Sequence, residues 1–99
     1  VFVSGQTPAD PKTGNVPDGI EAQTRQALEN VWAVLDAAGV KRNAVASVTV
    51  YLTDLGDFAA MNKVYAEYFE DPYPSRVCVQ ISKLPKDGKI MVSAIGVRD

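Results

Sequence analysis

The sequence of 99 residues contains no histidine and a single cysteine, Cys78. Without histidine, one copy of the chain cannot build a Ser-His-Asp triad, a Cys-His dyad or a His-ligated zinc. Acid–base work falls to carboxylates, tyrosines, lysines, backbone groups or bound water. A lone cysteine closes no internal disulfide, which suits a reducing cytoplasm. No apolar run reaches the length of a membrane span, and no signal-peptide pattern is present. Neither sign of charge dominates, with 10 Lys and Arg against 12 Asp and Glu. There is no basic run and no basic amphipathic helix. Nucleic acid and membrane surfaces are therefore not implied partners.

What is present is apolar content of 46%, enough for one domain with one core over residues 1–99. Val1 to Gln6 reads as a strand closed by Gly5. It opens without a methionine or a lead-in, so a leading segment is expected ahead of it. Residues 7–18 carry turn chemistry, with room for a short hairpin. Asp18 is placed to cap a helix, with Glu21 completing a capping box. Ile20, Ala27, Leu28, Val31, Leu35 and Ala38 then follow a helical period, and Gly39 ends it in the left-handed region. Glu21, Gln23, Arg25 and Glu29 fall on the wet side, and Trp32 is a core or interface filler.

Val45 to Thr53 alternates as a strand, with Ala46, Val48, Val50 and Leu52 on one face. Asp57 is expected to cap a second helix with an apolar face of Phe58, Met61, Tyr65, Tyr68 and Phe69. Asp71-Pro72-Tyr73-Pro74 stops that helix. The next strand alternates strictly. Val77, Val79 and Ile81 are expected to face the core, leaving Arg76, Cys78, Gln80 and Ser82 on the other face. Gly88 is available for a left-handed turn residue. Lys89 to Val97 is the last strand, apolar on both faces and expected to be buried on both, with Arg98 and Asp99 as an exposed end.

Two helices on one face of a mixed sheet make an α+β layer. The second face carries Thr49, Tyr51, Arg76, Cys78, Met91, Ile95 and Val97 in this reading. It is too apolar for solvent and has no helix left to cover it, so a homo-oligomer is expected. Arg76 stands out chemically, because its planar fork donates two parallel hydrogen bonds to a carboxylate. The plainer reading is an arginine that is solvated or paired with a surface acid.

The sequence resembles the RidA (YjgF-type) family of reactive-intermediate deaminases along its whole length. The resemblance rests on Val3-Ser4-Gly5-Gln6, Pro11-Lys12-Thr13-Gly14, the helix from Gln26 to Val31, Tyr51-Leu52-Thr53-Asp54-Leu55, and Phe58 with Asn62 and Tyr65. Its most specific part is Arg76-Val77-Cys78-Val79 leading to Leu84-Pro85-Lys86, then Ile90, Ala94-Ile95 and Val97-Arg98. The resemblance implies a chorismate-mutase-like fold assembled as a trimer, with clefts between subunits. It implies hydrolysis of 2-imino acids such as 2-iminopropanoate and 2-iminobutanoate to 2-keto acids and ammonia, with no metal or organic cofactor. Arg76 matches the family arginine that grips the substrate carboxylate, Ser4 a serine of the cleft, and Cys78 a cysteine on its wall. A family tyrosine in the leading segment has no counterpart here.

The departure is Met91, where the deaminases carry a glutamate that orients or activates the attacking water. A thioether accepts no proton at neutral pH. Ser93, two positions on, is also glutamate in many relatives, and a hydroxyl can hold a water but is a poor base. Two functions follow: a deaminase working without that glutamate, or a module that binds or senses a small carboxylic acid in the same cleft. A ribonuclease role fits poorly with no histidine and no basic stripe. A chaperone-like role has no local feature for or against it.

Overall fold

The computed structural model of the chain describes residues 1–98, so the expectation for Asp99 lies outside them. Six elements carry the fold: β1 (Phe2–Gln6), α1 (Ile20–Ala37), β2 (Val45–Leu52), α2 (Phe58–Tyr65), β3 (Ser75–Gln80) and β4 (Ile90–Gly96). The strands form one sheet in the order β1-β4-β2-β3. β4 runs antiparallel to both β1 and β2, while β2 and β3 are parallel. Each helix thus links a strand to a later strand of the same direction, and β4 closes the gap between β1 and β2. Both helices lie on one face, as the α+β layer requires.

The core follows from three apolar periodicities meeting on that face. α1 contributes Ala27, Leu28, Val31, Trp32 and Leu35, and α2 contributes Met61, Val64 and Tyr65. The sheet answers with Val3, Val48, Val50, Leu52, Ile90, Val92 and Ala94. Trp32 is a core filler as expected, its ring centroid 5.2 Å from that of Phe69. α1 ends as its sequence predicts. Gly39 is left-handed (φ 78°), and the Val40 N–H donates to the Leu35 carbonyl at 3.0 Å.

Several local expectations are overturned. Gly19, not Asp18, is the N-cap of α1, with no side-chain cap, so the box with Glu21 does not form. Gln23 is buried rather than wet. Its amide donates to the Pro17 carbonyl at 2.9 Å and accepts from the Lys89 N–H at 2.8 Å, tying loop 7–18 to the start of β4. Asp57 sits at the N-cap of α2 without a side-chain bond; it is Asp54 that accepts, from the Gly56 N–H at 2.8 Å. Residues 7–18 hold a turn closed by Asp10 and Asn15, not a hairpin. Lys86 and Asp87 take the left-handed conformation expected of Gly88 (φ 56° and 53°).

The largest correction concerns β3. Val77 and Val79 are 56% and 37% exposed, whereas Arg76 and Cys78 are half-buried on the helix side. The register explains this. Arg76 and Cys78 pair with Val48 and Val50, which point into the core, while Val77 and Val79 pair with Thr49 and Tyr51 on the open face. Alternation gives the phase of a strand but not which side the helices take. β3 is an edge strand beside α2, whose aromatic rings accept a guanidinium. β4 is also buried on one side only, since Ile95 is 40% exposed and Met91 and Ser93 are half-buried.

Candidate functional site

The predicted site residues separate onto the two faces of the sheet. Arg76 and Cys78 lie on the helix face at the β3 edge. Met91 and Ser93 lie on the open face of β4, opposite Tyr51 and Thr49 of β2. β1 is irregular between Val3 and Gln6, and Ser4 and Gly5 sit in that irregularity, both exposed. A Cβ on Gly5 would stand 2.6 Å from the Met91 Sδ, so the thioether lies against the Gly5 backbone. Ser4, Gly5, Met91 and Ser93 are thus neighbours, and the sheet separates them from Arg76. β2 also stands between β3 and β4, adding two strand spacings of about 4.8 Å each. One copy of the chain does not bring Arg76 and Met91 together.

Arg76 is held by α2. Its Nη1 donates to the Asn62 Oδ1 at 2.6 Å, and the guanidinium carbon lies 4.6 Å from the Tyr65 ring centroid and 5.4 Å from that of Phe58. Residues 58, 62 and 65 follow the i, i+4, i+7 spacing of one helix face. Cation–π attraction from two rings fixes the plane of the fork. No acid pairs with Arg76 among the described residues.

A groove of about 360 Å³ opens beside the guanidinium, lined by Asn62, Tyr65, Ala66, Tyr73, Pro74 and Arg76. The Tyr65 hydroxyl is buried and has no hydrogen-bond partner among the described residues. Burial pushes its pKa up to about 12, against the opposing pull of the Arg76 charge. Burial likewise pushes the Cys78 thiol up, again opposed by Arg76. Both groups are neutral near pH 7. The groove is therefore an uncompensated cation between aromatic walls, suited to a small carboxylate. A larger cleft of about 390 Å³ near Arg42, Glu67 and Pro72 contains none of the predicted site residues.

Sequence reasoning placed Phe58 and Tyr65 in the core and gave Asn62 no role. The signal was their shared helix face, which reads as a core stripe until β3 supplies an arginine opposite it. Among the described residues there is no group of acids and cysteine placed to hold a metal ion. No helix among them is long and apolar enough to cross a membrane.

The family model described as Endoribonuclease L-PSP matches residues 1–98. The chain is 48% identical over 101 residues to the 2-iminobutanoate/2-iminopropanoate deaminase of Salmonella typhimurium, covering 99% of this chain and 79% of that protein. It is 54% identical over 100 residues to the RutC family protein PH0854 of Pyrococcus horikoshii, covering 100% and 79%. The crystal structure of Escherichia coli TdcF with bound serine superposes with a TM-score of 0.93 at 46% identity, covering 99% of this chain and 80% of that one.

Proposed function

The chain belongs to the Endoribonuclease L-PSP family, together with the RidA and TdcF deaminases it resembles, and from this premise we propose that it hydrolyses small 2-imino acids to 2-keto acids and ammonia. The observation that carries the reading is Arg76, a cation fixed by three side chains of α2 and paired with no acid among the described residues. Its free donors grip the substrate carboxylate.

The second half of the site comes from another copy. The open face exposes Phe2, Val77, Val79 and Ile95. A neighbouring subunit covers this apolar surface and sets the Ser4, Gly5, Met91 and Ser93 cluster of one chain against the Arg76 groove of the next. The assembly is a homotrimer with clefts between its subunits. Ser4 and backbone groups position the attacking water, Ser93 offers it a hydroxyl, and Cys78 and Met91 are walls. The imine carbon is electrophilic enough that positioning supplies much of the acceleration. No metal or organic cofactor takes part, and the setting is cytoplasmic.

One observation favours a second reading, binding without turnover: the thioether of Met91 cannot act as a base. Keto-acid release from 2-iminobutanoate generated in situ, with semicarbazide trapping free imine, separates the two. Wild type accelerates release, and Arg76→Ala lowers kcat/KM at least about thirtyfold, as expected for loss of a charge-assisted bidentate contact. A folded wild type that binds 2-oxobutanoate through Arg76 without accelerating release is a binding module.

A further inference from the structure

We propose that Asn62 is a positioning residue, whose neutral amide aims the Arg76 guanidinium without consuming its charge. The inference rests on the reading of Arg76 as the carboxylate grip. Asn62 lies in the interior of α2, where asparagine is a weak helix former. Its Oδ1 accepts from the Arg76 Nη1 at 2.6 Å. The accepting atom must be the oxygen, because a guanidinium has donors only.

The rings of Tyr65 and Phe58 hold the plane of the guanidinium, but they leave it free to turn within that plane. The bond to Asn62 fixes this remaining rotation. One donor is used, and the others stay available to a ligand. Neutrality matters as much as geometry. An aspartate has the same shape, but it would pair with the fork in place of the ligand and cancel the charge that attracts it. Asparagine therefore orients the arginine and aspartate would occupy it. The absence of any described acid beside Arg76 fits this division of labour.

The test compares Asn62→Asp, Asn62→Ala and Arg76→Ala in the full chain. The readouts are calorimetric binding of 2-oxobutanoate, the KM and kcat for 2-iminobutanoate, and thermal stability. Asn62→Ala loosens the fork and weakens binding about tenfold. Asn62→Asp weakens it about a hundredfold, mostly in KM, while its Tm equals or exceeds that of wild type because the new pair is internal. A residue with a merely structural role gives the reverse order, since the isosteric aspartate is then the milder change. Binding by Asn62→Asp equal to or tighter than by Asn62→Ala, or a fall in its Tm, overturns the proposal. If Arg76→Ala itself leaves binding unchanged, the carboxylate reading fails and this inference fails with it. If Arg76→Ala abolishes binding and Asn62→Asp does not, only the role of Asn62 is lost.

Discussion

Met91→Glu tests whether this chain is a deaminase lacking its base. Methionine and glutamate are unbranched and of equal length, so the exchange adds little volume. The glutamate Cδ falls where the Sδ now lies against the Gly5 backbone, and a carboxylate oxygen takes the place of the Cε. Neither Met91 nor its neighbours Ser4, Gly5 and Ser93 carries a charge. A general base is worth about a hundredfold to ten-thousandfold. Taking the lower end, we expect kcat/KM for 2-iminobutanoate to rise about a hundredfold.

The gain has a pH signature. In wild type, Cys78 and Tyr65 are the groups near Arg76 whose pKa values shift, and burial holds both up. Neither titrates between pH 5 and 8, and there is no histidine. The base added by Met91→Glu works only when deprotonated. Its benefit is full above the carboxylate pKa and is lost as pH falls through it. That pKa is about 4.3 unperturbed; burial raises it and the Arg76 of the facing subunit lowers it. The ratio of variant to wild-type rate therefore falls as pH drops from 7 to 4, and substrate protonation cancels in the ratio. In the imine assay across that range, a ratio within about twofold of unity, or a gain that does not change with pH, refutes the reasoning.

The remaining expectations concern packing and assembly. A Cβ at Gly96 would stand 2.7 Å from the Val40 Cγ1 and 3.1 Å from the Leu35 Cδ2, in the buried corner where β4 meets the end of α1. Gly96→Ala should therefore destabilise by about 1–3 kcal/mol, read from urea unfolding; no change would mean that the corner yields without cost. Ile95→Glu puts a charge on the apolar open face, 40% exposed in one chain. It should shift the mass in solution from trimer towards monomer and lower hydrolysis with it, while an unchanged mass would place the assembly on another surface.

The architecture was legible because it rests on periodicity. Alternating Val48, Val50 and Leu52 and the helical spacing of Leu28, Val31 and Leu35 mark elements and core together. The side assigned to β3 was not legible. Val77 and Val79 look like core residues, yet they face outwards, because alternation gives the phase of a strand and not the side that the helices take. The caps failed for a related reason. Asp18 has the right chemistry at the head of α1, but Gly19 takes the N-cap position, and loop 7–18 is anchored instead by the buried Gln23. In the candidate site, Arg76 stood out by its chemistry, and the structure places it beside a groove with no acid partner among the described residues. Its partners Asn62, Tyr65 and Phe58 did not stand out, since an aromatic helix face says core until the tertiary fold puts a cation against it.

The central claim is that Arg76 of one subunit and the Gly5–Met91 surface of another complete one site. Complementation tests it most directly. Arg76→Ala removes the grip, and Gly5→Val fills the floor beside Met91; each should be nearly inactive alone. Co-expressed with different tags and purified through both, every trimer holds the two kinds of subunit. One cleft in three then pairs an intact arginine with an intact floor, so the mixture should recover about one third of wild-type imine hydrolysis. A mixture as inactive as its parents, or a wild type that does not accelerate hydrolysis, would contradict the account.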